Sequence, residues 1–179
     1  MSVIRSAKTS KRIKEIAWLH RKVSQQILDE ARVAFPTETG GVLMGYWVVP
    51  HFELVITHAI GPGPSAAHYK KSFVPDSGYQ EAEIARIYTE SNRFSTYLGD
   101  WHTHPSGSSY LSYRDKRTLK EIASFRDARC PIPVMSVLGG GEDDWVMRVW
   151  KYQPRKGLMR LFGVNVIGLR PKEYGDDSP

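Results

Sequence analysis

Cysteine is the scarcest informative residue: 179 residues carry one, Cys130, so no disulfide can form within the chain. That thiol precedes Pro131 at the edge of an apolar stretch, and it reads as a small buried hydrophobe rather than a nucleophile. No apolar run approaches the roughly 18 residues of a membrane span. The basic N-terminus is not followed by the apolar stretch of about 7–15 residues that marks a secretory signal. The expectation is therefore a cytoplasmic protein that does not enter the membrane. Internal repeats and low-complexity tracts are also missing, which excludes solenoid and array architectures. Acidic residues are absent before Glu15, whereas Arg5, Lys8, Lys11, Arg12 and Lys14 precede it. These five cations account for most of the net charge of +6, leaving about +1 for the remainder. Such a tail is ordinarily solvated; contact with nucleic acid or an acidic partner is the other reading.

What remains is ordinary for a globular chain: 41% hydrophobic and 25% charged residues in 20.3 kDa, enough for one domain with a real core. Residues 13–19 read as a short strand. Val23, Ile27, Leu28, Ala31 and Ala34 recur at helical spacing and predict an amphipathic helix over 21–34. Apolar strands follow at 42–49 and 53–60, and a third at 68–74. Asp76 or Ser77 can cap a helix at 77–92, and Ser112 can cap another at 113–126 whose Leu119, Ile122, Ala123 and Phe125 face inward. Strands at 132–138 and 144–153 flank Gly139-Gly140-Gly141, and 158–167 is apolar enough for a further one. Strands mixed with three helices imply α+β or α/β with a central, mostly antiparallel sheet. The domain boundaries expected are a basic tail at 1–14, the main domain at 15–153 and a C-terminal extension at 154–179.

The chemistry is concentrated in His102-Thr103-His104-Pro105, followed by Ser112 and Asp115, in the pattern H-x-H-x(7)-S-x(2)-D. Two histidines at i and i+2 point the same way if their segment is a strand, because the side-chain period is two. Two imidazoles and a carboxylate suit Zn²⁺, and three protein ligands leave a fourth position for water, as in a catalytic site. A pair of histidines two apart is by itself a common coincidence, and Asp115 alone would read as a helix-dipole or capping carboxylate. Upstream, Glu38 leads into Gly40-Gly41 and a buried strand, a poor place for an unpartnered carboxylate. Asp100 and Thr103 could orient the histidines from behind, and Trp101 reads as core.

This constellation, with every position of the motif filled, resembles the JAMM (MPN-plus) zinc metalloproteases. The similarity runs from the helix before Glu38 to the strand around Trp145–Tyr152. It implies the cytidine-deaminase-like JAMM fold, a curved and mostly antiparallel sheet flanked by about three helices. It implies one Zn²⁺ held by His102, His104 and Asp115, with Glu38 as general acid–base and Ser112 stabilising the oxyanion. The Glu38–Gly45 run and Trp101–Pro105 most resemble compact bacterial JAMM deconjugases near E1- and E2-like enzymes, including those of anti-phage CBASS operons. That resemblance implies an isopeptidase acting after the C-terminal residue of a ubiquitin-like conjugated protein, there a CD-NTase (cyclic-nucleotide synthase). Pro105-Ser106-Gly107 is also similar to RadC-type relatives, which leaves a DNA-associated role as an alternative, alongside precursor processing of a ubiquitin-like protein. Tyr69-Lys70-Lys71-Ser72 reads as a solvated face or a basic lip for an acidic partner surface.

Overall fold

The computed structural model describes residues 15–48, 53–142, 144–154 and 163–175. The basic tail at 1–14 lies outside the described residues. Strand β1 (Ile16–His20) leads into helix α1 (Arg21–Ala34), whose buried face is Val23, Ile27 and Ala31 at intervals of four. Strands β2 (Gly40–Val48) and β3 (Glu53–Ile60) pair antiparallel, with a bulge at Met44/Gly45. The expected third strand at 68–74 is instead a hairpin of two short strands, β4 (Ala67–Tyr69) and β5 (Ser72–Val74), forming a separate sheet. Lys70-Lys71 at its centre cannot continue a buried strand and makes the turn instead. Helix α2 (Ser77–Glu90) follows, capped by Asp76, whose carboxylate accepts the Tyr79 N–H at 3.1 Å. Then come β6 (Thr96–Pro105), α3 (Tyr113–Ser124), a short 3-10 turn (Arg126–Ala128), β7 (Val134–Gly140), β8 (Val146–Tyr152) and β9 (Val166–Tyr174).

The α+β class holds, but the sheet is a closed barrel rather than an open curved sheet, in the order β1-β3-β2-β6-β7-β8-β9. Four of its seven pairings are antiparallel; β1–β3, β1–β9 and β6–β7 are parallel. Closure comes from β9, which pairs with β8 on one side and runs parallel to β1 on the other, from Ile16 opposite Arg170 to His20 opposite Tyr174. The further strand expected at 158–167 therefore lies later, at 166–174; residues 158–162 are outside the described set. Its apolar pattern is broken by Gly168, Arg170 and Pro171, and pairing on both sides overrides it.

The main core joins the α1 stripe to Leu19, Leu43, Leu54, Ile56, Trp101 and Leu138. Trp101 is fully buried, as expected of a core residue, and its indole N–H donates to the Ile60 carbonyl at 3.0 Å. Cys130 is likewise buried, and desolvation pushes its thiol up to about 12, which makes it inert. Helix α3 is anchored by Leu119, fully buried against Met135 and Val137 of β7. Truncating a leucine so placed costs about 2–5 kcal/mol. Phe125, expected to face inward, is exposed: α3 ends at Ser124, and Phe125 takes an extended C-cap conformation that turns it off the helical face.

Candidate metal centre

Strand β6 is hydrogen-bonded on both sides within the barrel. His102 lies opposite Gly40 of β2 and Val137 of β7, and His104 opposite Gly139 of β7. Their side chains project to the same side, as period two requires, and their Nε2 atoms stand 3.0 Å apart. Helix α3 delivers the third group. Ser112 is its N-cap and Asp115 its N3 residue in a reciprocal capping box: the Asp115 N–H donates to Ser112 Oγ at 3.2 Å and the Ser112 N–H to Asp115 Oδ2 at 2.6 Å. So fixed, the Asp115 carboxylate reaches His102 Nε2 at 3.4 Å and His104 Nε2 at 3.6 Å.

The chemistry of this donor set can be tested against Zn²⁺. Ligand bonds of about 2.0–2.1 Å in a tetrahedron separate donor atoms by about 3.3 Å. The two Nε2 atoms are 3.0 Å apart, and the carboxylate offers Oδ1 to His102 at 3.4 Å and Oδ2 to His104 at 3.6 Å, each near that value. One donor atom from each residue lies within 4.8 Å of the others, so the set can close on a small tetrahedral cation. Burial acts to raise the Asp115 pKa, yet His102, by hydrogen bond and charge, and Ser112 outweigh it and hold the carboxyl well below the usual range. The His104 tautomer is also set: its Nδ1–H donates to the Ser108 carbonyl at 2.8 Å, which leaves Nε2 with a lone pair for a metal.

Glu38 lines the same cleft, a cavity of about 270 Å³ whose walls include His102, Asp115, Asp100, Arg114 and Phe73. Its carboxyl is raised above the ordinary glutamate value by burial, against the opposing charges of His102 and His104. Its backbone is tied on both sides to the β4–β5 hairpin: its N–H donates to the Tyr69 carbonyl at 2.8 Å, and its carbonyl accepts from His68 Nδ1 at 3.0 Å. The next residue is clamped to the histidine strand. Thr39 N–H donates to Thr103 Oγ1 at 3.0 Å, and Thr103 N–H to the Thr39 carbonyl at 2.9 Å, both residues being fully buried. Close approach explains the glycine at 40, where a Cβ would stand 2.5 Å from both Phe73 and the Trp101 carbonyl.

The five residues singled out from the sequence thus fall into a closely packed triad, the cap beside it, and one carboxylate on the shared cleft. Two of the supporting suggestions change. Thr103 braces Thr39 rather than a histidine, and Asp100 accepts the Tyr97 hydroxyl at 2.8 Å. The bracing roles of His68, Thr39 and Ser108 have no signature in residue spacing, because their contacts here span a turn or a strand pairing. A histidine flanking two lysines on an expected strand was the only local sign.

Residues 20–152 match the profile of the prokaryotic homologs of the JAB domain. The chain belongs to the prokaryotic JAB family. This is the peptidase family that the motif resemblance indicated. Over 137 residues the chain is 40% identical to "Probable metalloprotease y4qB" of Sinorhizobium fredii, covering 76% of this chain and 83% of that one. A "CD-NTase/cGAS isopeptidase" of Escherichia coli is 29% identical over 121 residues, 67% of this chain and 72% of the relative. The solution structure of protein DSY2949 from Desulfitobacterium hafniense superposes with a TM-score of 0.61 at 18% identity, covering 89% and 94% of the two chains, which supports the fold alone. No helix among the described residues is long and apolar enough to cross a membrane.

Proposed function

We propose that this JAB protein is a zinc-dependent isopeptidase that hydrolyses the bond after the C-terminal residue of a ubiquitin-like conjugated protein. Its substrate would be a CD-NTase joined to target amines by E1- and E2-like enzymes in a CBASS-type defence system. The observation that carries the reading is the convergence of His102, His104 and Asp115, with Glu38 on the same cleft as a carboxylate outside the triad. The identity to a named CD-NTase/cGAS isopeptidase supports the substrate class.

A bound Zn²⁺ would polarise the scissile carbonyl and lower the pKa of water. Glu38, which makes no contact assigned to the ligands, takes the proton of the attacking water and passes it to the leaving amine. The C–N bond breaks as a C–O bond forms, giving a free C-terminal carboxylate and an amine. Ser112 can serve two roles at once. Its oxygen accepts the capping N–H through a lone pair, so the hydroxyl proton stays free to donate to the developing oxyanion.

A closed barrel offers no edge for an extended substrate tail, whereas the two-stranded β4–β5 sheet does. Ser72 and Phe73 of β5 line the cleft with Glu38, so a C-terminal strand pairs there and presents small residues, Gly or Ala, to the centre. The test is a fusion of a CD-NTase C-terminus to a reporter. Cleavage directly after the native last residue, abolished by a chelator and by Glu38→Gln, is the expected result. Scattered cleavage of unfolded segments would replace this reading with that of a general protease.

A further inference from the structure

His102 and His104 are not held alike. His102 sits within the paired part of β6, flanked by β2 and β7. His104 is at the end of the strand, and its Nδ1–H is bound by a carbonyl of the loop 106–112, at Ser108. A polar loop of this kind is ordinarily mobile, so something must fix the carbonyl.

Strand β8 does this. The Trp150 indole N–H donates to the Ser109 carbonyl at 3.1 Å, and Arg148 Nε donates to Ser109 Oγ at 3.1 Å. The Arg148 guanidinium also lies 4.7 Å from the Tyr110 ring centroid, and the Tyr110 and Trp150 rings are 5.7 Å apart. Ser109 is buried beneath this cover although the loop is polar. From the other side the loop is pressed against β7: a Cβ on Gly139 would stand 2.2 Å from Ser108 C and Ser109 N. Ser106 N–H closes the loop base on the Gly140 carbonyl at 2.6 Å. A chain of contacts therefore runs from β8 through Ser109 and the adjoining Ser108 carbonyl to the ring of His104.

We propose that Trp150 and Arg148 are positioning residues for the metal centre, fixing the tautomer and ring orientation of His104 through the 108–109 backbone. The proposal rests on the metal-centre reading above. An outer partner of a ligating histidine typically alters metal affinity by about 10–100-fold. Here the outer partner is a peptide carbonyl, so its own supports inherit part of that effect. Trp150→Phe keeps an aromatic six-membered ring beside Tyr110 but deletes the N–H together with the fused five-membered ring; Arg148→Met keeps the stem but deletes both the donor and the charge.

The experiment is a zinc titration against a competing chelator, with thermal unfolding of the metal-free proteins and the visible spectrum of the cobalt-substituted ones. Trp150→Phe should bind zinc about tenfold more weakly, Arg148→Met by a smaller factor, with a changed cobalt spectrum. The metal-free melting temperatures should fall by no more than about 4 °C, the shift expected of about 1 kcal/mol, and the loss of zinc affinity should exceed what that destabilisation accounts for. Wild-type affinity and spectrum in Trp150→Phe would overturn the proposal while leaving the metal centre intact. Weaker binding that merely tracks a lowered metal-free melting temperature would also overturn it, as general destabilisation. Failure of the wild-type chain to bind zinc would remove the metal centre itself, and the proposal with it.

Discussion

The two halves of the cleft are built on opposite plans. The ligand half rests on β6, a strand with a hydrogen-bonded neighbour on each side inside a closed barrel, and on a helix fixed by its own capping box. The other half carries Glu38, the proposed proton-transfer group, two residues ahead of β2 and held by a detached two-stranded hairpin through Tyr69 and His68. A closed barrel has no edge at which to fray, so the triad is placed before any ligand arrives. The hairpin shares no strand with the barrel and can shift without opening it. Metal binding and hydrolysis are thereby separable, and mutations should divide along that line.

The largest effect should come from removing the ligand half. His102→Ala with His104→Ala leaves one carboxylate, too few donors for tight zinc binding. Elemental analysis of the purified variant should find almost no zinc, and cleavage of the reporter fusion should vanish. Zinc at wild-type stoichiometry would place the site elsewhere.

Next comes Glu38→Gln, which touches only the other half. Zinc content and fold should persist while hydrolysis falls by at least the ~10² expected of a general acid–base group. The raised Glu38 pKa adds a pH signature in the metal-free protein. In stability its sign is opposite to that of a salt-bridged carboxylate. The metal-free folded state holds the Glu38 proton more tightly than the unfolded chain, so stability falls as pH rises from about 4.5 through the raised value. Glutamine cannot ionise, so the metal-free variant should gain stability over wild type at pH 7 and gain none at about pH 3. Equal melting curves at both pH values would show that Glu38 carries no burial penalty.

A smaller effect should follow from cutting the brace between the halves. Thr103→Val keeps the β-branched shape but strands the buried Thr39 N–H, which now donates to Thr103 Oγ1. An unsatisfied buried donor costs about 1–3 kcal/mol. Chemical denaturation should show that loss with an unchanged m-value, and zinc affinity should fall far less than in the histidine variants.

The ligand half was largely legible in the sequence because its rules are local. His102 and His104 share a face by strand period, and Ser112 with Asp115 is a capping pair three residues apart. The Glu38 half was legible only as a motif position. What holds it, Tyr69 and His68, lies about 30 residues away and depends on a hairpin that reads in sequence as one strand. Barrel closure was hidden for a similar reason: β9 pairs parallel with β1 from the far end of the chain, and its Gly168 and Pro171 blur the strand pattern. The support of His104 by Trp150 and Arg148 needs the 106–112 loop folded back on β8, which no spacing announces.

The smallest effect should come from Phe125, where sequence periodicity and structure part most plainly. Continuing the helical count past Leu119 and Ile122 puts residue 125 one i+3 step beyond Ile122, at the edge of the inner face. Yet α3 stops at Ser124, and the C-cap residue swings out to 62% exposure. If the helix ran on and Phe125 were core, Phe125→Ser would cost about 3 kcal/mol or more, as deletion of a buried aromatic does. With the side chain in solvent, the change should stay within about 0.5 kcal/mol, the usual range for a surface substitution. Urea unfolding of this single variant decides between the two. A loss above about 2 kcal/mol would mean that α3 is longer in solution and that the face carrying Asp115 is anchored at both ends, rather than by Leu119 and the capping box.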